Sequence, residues 1–136
     1  MPTNFEIRTR EKEGVTILDL TGRLVVGDPS VRLRELINNE VAQGKKHIIL
    51  NLAGVDYIDS TGLGCMVICY TTLQKAGGTL KLCKLNKRNV ELLLLTKLST
   101  IFEVFNEEQD AINSFFPERE IKRFDILDFV QQQKEG

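Results

Sequence analysis

Polar and apolar residues alternate one by one at the start of the chain, where Phe5, Ile7 and Thr9 are interleaved with Glu6, Arg8 and Arg10. A period of two belongs to a strand with one wet face. Glu11-Lys12-Glu13-Gly14 is a hairpin-sized connection, and Val15 to Leu20 reads as a second strand before Thr21-Gly22-Arg23 breaks the run. The period then changes. Leu33, Leu36, Ile37 and Val41 recur at helical spacing behind Asp28-Pro29, an N-cap followed by proline at the first helical position. Gly44 sits where the C-terminal cap of that helix belongs.

His47 to Leu52 is a short apolar run bounded by lysines and by Ala53-Gly54, which predicts a central strand. From Ser60 onward Leu63, Met66, Val67, Tyr70 and Leu73 mark a helical face that ends at Gly77-Gly78. Cys65, Ile68 and Cys69 widen that face until most of the circumference is apolar, as in a buried helix. Thr79 to Cys83 predicts a fourth strand, and Asn86 caps a helix carrying Val90, Leu93, Leu94 and Lys97. Phe102 to Phe105 predicts a fifth strand. Asn106 and Gln109 resemble a capping box opening a helix with Ala111, Ile112 and Phe115.

This order is strand, strand, helix, then three repeats of strand and helix. It predicts an α/β domain with a mostly parallel sheet of about five strands, about four helices, right-handed crossovers and an antiparallel first pair. The domain is placed at residues 4–116. After Pro117 the character changes: residues 117–136 form a charged tail with Ile121, Phe124, Leu127 and Val130 at three-residue intervals. Such spacing predicts an amphipathic segment that packs on its own domain or in a homodimer, or docks on a partner.

A chain of 136 residues is long enough to bury a real core. Its 18 basic and 19 acidic residues nearly cancel, so composition gives no electrostatic case for nucleic acid or an anionic membrane as partner. No apolar run approaches the ~18 residues of a membrane span, and charges stand where a secretion signal would need an apolar segment. Three cysteines among apolar neighbours, Cys65, Cys69 and Cys83, argue against a disulfide framework and for a reducing, cytoplasmic setting. With one histidine, His47, and no second cysteine pair at ligand spacing, no metal and no cofactor is expected.

The chemistry concentrates in Asp56-Tyr-Ile-Asp-Ser-Thr-Gly-Leu-Gly64. Ser60 falls at or next to the N-cap of the buried helix, where a serine cap contributes about 1 kcal/mol. Two glycines inside the first turns each cost about 1 kcal/mol against alanine, so capping alone does not account for Gly62 and Gly64. They remove side chains where another surface comes close. An open helix N-terminus also favours negative charge, so a phosphate on Ser60 would be tolerated while changing the charge shown to a partner. Asp56 and Asp59 already make the corner acidic. A P-loop lacks its lysine here, and an esterase elbow would need glycine at position 58, where Ile58 stands. No catalytic residues are assigned, and the chain is not expected to be an enzyme.

Asn51-Leu-Ala-Gly-Val-Asp-Tyr-Ile-Asp-Ser-Thr-Gly-Leu-Gly64 resembles the signature of the anti-sigma-factor antagonists, the bacterial STAS domains. Leu20-Thr-Gly-Arg-Leu24 is similar to the turn after that family's second strand, and Leu95 to Ala111 to its closing strand and helix. The resemblance implies helices packed mainly on one side of the sheet and a partner-switching role. An anti-sigma factor with serine kinase activity would phosphorylate Ser60, a serine phosphatase would reverse it, and only the unmodified form would bind and free sigma. Asp56, Asp59, Thr61, Gly62, Leu63 and Gly64 would lie at the partner interface. The alternative is a STAS-type scaffold or regulatory subunit of a signalling or transport assembly, with Thr61 as a second phosphoacceptor. Two positions depart from the family pattern: Val25 where an acidic residue is frequent, and Asn51 where aspartate is frequent.

Overall fold

Five strands and four helices form in the predicted order in the computed structural model, which describes residues 5–121 together with 126 and 129. Strands β1 (Glu6–Lys12) and β2 (Val15–Leu24) pair antiparallel across the tight turn. Strands β3 (His47–Ile58), β4 (Thr79–Cys83) and β5 (Val104–Phe105) add in parallel, giving the sheet order β1-β2-β3-β4-β5. The crossovers are α1 (Asp28–Ala42), α2 (Ser60–Lys75) and α3 (Lys87–Leu95), and α4 (Glu108–Asn113) follows β5.

Helices α1, α2 and α3 lie on one face. There Leu18, Leu20, Ile48, Leu50, Leu80 and Leu82 of the sheet meet Leu33, Ile37, Met66, Cys69, Leu73 and Val90 in the main core. Successive strand residues point to opposite faces, so Val15, Ile17, Ile49, Cys83 and Phe105 turn the other way, under Ala111 and Ile112 of α4. This double cover is why β2 and β3 read as near-continuous apolar runs. Each large side chain buried here contributes roughly 1.5–3 kcal/mol of transfer free energy. All three cysteines are free and buried, and burial pushes the Cys83 thiol up to about 12.

Polar groups clamp α4 to its face. Arg10 donates to both carboxylate oxygens of Asp19, at 2.6 and 2.9 Å, and reaches Glu108 of α4 at 2.5 Å. Asn51 donates to Asp19 at 2.8 Å, and its own amide oxygen accepts from the Ala53 N–H. The Arg10 hydrogen bonds hold the Asp19 carboxyl below its ordinary value despite partial burial. An aspartate at position 51 would set a second carboxylate against Asp19; the asparagine supplies a donor instead.

Several boundaries differ from the sequence reading. Strand β2 does not stop at Leu20 and β3 does not stop at Leu52. The extra residues pair with one another as a two-stranded ribbon, Thr21 with Gly54, Gly22 with Val55, Arg23 with Tyr57 and Leu24 with Ile58, through register shifts on either side of Thr21-Gly22. Gly22 carries φ of 106°, a left-handed value that side chains resist, so what reads as a break is a bulge inside a strand. Gly27, not Asp28, is the N-cap of α1, and Ser30 donates back to the Val25 carbonyl to tighten the entry. Lys97 falls beyond α3 in a left-handed turn.

Strand β5 contributes Val104 and Phe105 alone, because only these reach register with Leu82 and Cys83. The capping box before α4 does not form: Glu107 occupies the cap, Asn106 donates to the Glu107 side chain, and Gln109 donates to Glu13 and Asn113. In the tail, Ile121 packs on the smaller cluster while Ile126 and Phe129 pack on the main core. Phe124, Leu127 and Val130 lie outside the described residues.

Candidate functional site

The corner where β3 hands over to α2 is organised by Asp59. Its backbone is extended and its carboxylate caps α2, accepting from the Gly62 N–H at 2.7 Å through Oδ1. Oδ2 accepts from the Val26 N–H at 3.0 Å, and the Asp59 N–H donates to the Leu24 carbonyl at 3.2 Å. One residue therefore ties the β2–α1 loop to the start of α2.

With Asp59 in the cap, Ser60 becomes the first residue of the helix rather than its cap. Its hydroxyl is exposed and makes no hydrogen bond among the described residues. Thr61 is exposed in the same way. The serine-cap explanation for Ser60 is thereby replaced: capping is done by its neighbour.

The two glycines of the turn have different causes. A Cβ on Gly62 would lie 2.1 Å from the Leu24 carbonyl oxygen and 2.8 Å from its carbon, so the fold itself demands glycine there. A Cβ on Gly64 would meet nothing within 4 Å, and Gly64 is exposed. Leu63 is buried in the main core at 7 % exposure. The predicted set thus divides: Ser60, Thr61, Gly64 and Asp56 face solvent, whereas Gly62 and Leu63 face inward and Asp59 is half-buried between two elements.

Sequence reasoning missed the apolar members of this surface. Val26, beside Asp59, is 65 % exposed, and Val31 and Ile68 are each 48 % exposed. Residues 60, 64 and 68 follow one another along α2 at i, i+4 and i+8, so Ser60, Gly64 and Ile68 form one outward stripe. Beside it a crevice of about 140 Å³ runs between α1 and α2, lined by Arg34, Ile37, Asn38, Ile68, Cys69 and Thr72. Ile68 merged with the buried face because α2 is apolar nearly all round; Val26 carried a signal, a valine in a loop with no core position to fill.

Among the described residues no group of His, Cys, Asp or Glu side chains could hold a metal ion, and no helix is long and apolar enough to cross a membrane. What the corner presents is a free hydroxyl at the mouth of a helix, a flat glycine step and apolar side chains. A phosphate added to that hydroxyl would change the charge of the surface by about −1.5 to −2.

Residues 6–111 match the STAS domain family model. The anti-sigma-B factor antagonist of Listeria monocytogenes serovar 1/2a is 32% identical over 114 residues, covering 79% of this chain and 93% of that protein. The chain belongs to the STAS domain family and is similar to its anti-sigma factor antagonists. Among solved structures, an anti-sigma factor antagonist from Mycobacterium paratuberculosis superposes with a TM-score of 0.68 at 20% identity, over 84% of this chain and 96% of that one. The Bacillus cell fate determinant SpoIIAA in its phosphorylated form gives 0.63 at 20% identity, over 82% and 98%. These two likenesses establish the shared fold.

Proposed function

We propose that the chain is an anti-sigma factor antagonist that works by partner switching, with Ser60 as its phosphoacceptor. The unmodified form binds an anti-sigma factor that carries serine kinase activity, and a serine phosphatase restores that form after modification. The observation that carries this reading is the idle Ser60 hydroxyl: exposed, unbonded and at a helix N-terminus, because Asp59 has taken the cap. The Ser60 and Thr61 amides have no intrachain acceptor among the described residues, so a phosphate there finds donors without unfolding the turn. It adds about −1.5 to −2 charges to a corner already holding Asp56 and Asp59.

In this reading Thr61, Gly64 and Asp56, with Val26, Val31 and Ile68, meet the partner directly. Asp59, Gly62 and Leu63 set the shape on which those contacts depend. Incubation with the anti-sigma kinase and ATP followed by phosphosite mapping tests the assignment, with phosphate expected on Ser60. Modification on Thr61 or elsewhere, with Ser60 untouched, overturns it. Ser60→Asp is expected to weaken partner binding while Ser60→Ala retains it, and equal affinity of the two variants defeats the charge mechanism.

A further inference from the structure

The opposite end of the sheet from Ser60 carries a cleft of a different character. It measures about 270 Å³ and lies between the β1–β2 hairpin and the C-terminal end of α1. Thr9, Glu11 and Thr16 line it from the strands, and Glu40, Gln43 and Lys45 from the helix end. Arg10 borders it too, but its guanidinium is engaged by Asp19 and Glu108. Alternation along β2 sets Thr16 on the same face as Leu18, which is turned toward the helices. Thr16 pairs with Ile48 near the start of β3, whereas Ser60 comes after that strand has ended.

Two polar side chains of this cleft are buried with no hydrogen bond. Glu40 is 8 % exposed and Thr16 2 %. Among the described residues no donor reaches the Glu40 carboxylate, and the Thr16 hydroxyl is equally idle. A carboxylate drawn this far out of water is costly unless a donor meets it. The nearby lysine is already committed, with Lys45 Nζ 2.7 Å from the Glu11 carboxylate. That hydrogen bond chiefly raises the Lys45 ammonium above its ordinary value, and Glu40 adds to it through its charge. The backbone holds the arrangement: the Glu40 carbonyl accepts from the Gln43 and Lys45 N–H groups at 3.1 and 3.0 Å.

Charge and geometry agree on the group that would complete the cleft. Glu11 and Glu40 each bring a negative charge and Lys45 a positive one, so the cleft is one cation short. The C-terminal pole of α1 deepens the imbalance, because its last turn holds no basic residue. Three acceptors stand open: the Glu40 carboxylate, the Thr16 hydroxyl and the Gln43 amide oxygen. A primary ammonium carries three N–H donors and a single charge. A metal ion fits less well, since no group of His, Cys, Asp or Glu side chains among the described residues could hold one. We infer that this cleft binds the primary ammonium group of a small amine, with Glu40 as its counter-ion. The site is distinct from Ser60 and stands or falls without it.

The test is NMR titration of the full-length chain with butylammonium, putrescine and glycine at constant chloride. Glycine asks whether Lys45 receives a carboxylate beside the ammonium, so the tightest probe separates a simple amine from an amino acid. Tetramethylammonium, which has the charge and no N–H donor, is the control. Saturable shifts confined to Thr16, Glu40, Gln43 and their neighbours are expected with the amines and not with the control. Glu40→Gln keeps the size and removes the charge, and its affinity is expected to fall at least about tenfold. That variant is also expected to melt no lower than wild type, because it removes a buried carboxylate that no donor meets. Thr16→Val keeps the shape, removes the hydroxyl, and is expected to weaken binding as well. Equal shifts with tetramethylammonium, non-saturating shifts, or full affinity in Glu40→Gln would overturn the inference.

Discussion

Gly62 and Gly64 sit two residues apart in one turn of α2 and answer to different constraints. Gly62 is pressed against the Leu24 carbonyl, so its missing side chain is a requirement of the protein's own packing. Gly64 faces open space, so nothing among the described residues asks for glycine. The same division separates Asp59, spent on two backbone N–H groups, from Ser60, whose side chain makes no such bond among the described residues. A single turn holds one layer that builds the corner and another that the corner displays. Only the displayed layer is free to serve a partner.

The comparison breaks most forcefully at Gly62. Gly62→Ala is expected to destabilise the protein by about 3 kcal/mol, since neither the carbonyl nor the helix yields without shifting; urea melts measure it. Asp59→Ala removes the cap and releases the Val26 N–H, an expected loss of about 1–2 kcal/mol. A cost near zero would mean the loop is held by other contacts. Gly64→Ala is expected to go the other way, raising stability by up to about 1 kcal/mol, while reducing affinity for the anti-sigma partner. A Gly64→Ala variant that binds as well as wild type removes the reason for glycine there. Ser60→Ala is expected to leave stability unchanged within about 0.5 kcal/mol, the smallest effect of the four.

The opposite face supplies an acid-sensitive contrast. Asp19 is held below the usual carboxylate range chiefly by its hydrogen bonds from Arg10. A carboxyl lowered in the folded state contributes stability above its unfolded value of about 3.9, and that contribution disappears as pH falls through the folded value. Wild type is therefore expected to lose stability below about pH 4 more steeply than Asp19→Asn, by thermal melts across pH. Parallel curves would show that Asp19 does not carry the acid response.

Element order and type were legible because periodicity and caps agreed at most of the chain: the Asn86 cap and the antiparallel first pair both form as read. Ends were less legible. Thr21-Gly22-Arg23 looks like a stop because glycine usually punctuates, yet here a bulge lets the strand continue with β3. Asn106 and Gln109 matched a capping pattern, but Gln109 finds Glu13, which is distant in sequence and invisible to a local reading. At the corner, Asp59, Ser60, Gly62 and Gly64 stood out as a group. Their division into inward and outward could not be read locally, because the atom that decides it is the carbonyl of Leu24 on another strand.

Strand β3 outruns β4, whose last register pair with it is Asn51 with Cys83. Residues 52–58 would otherwise offer an open backbone margin, the kind that recruits a foreign strand and seeds aggregation. The side-chain amides of Asn86 and Asn89 both donate to the Val55 carbonyl and cover the middle of that margin. The longest strand of the described sheet is thereby kept from zipping onto a neighbour.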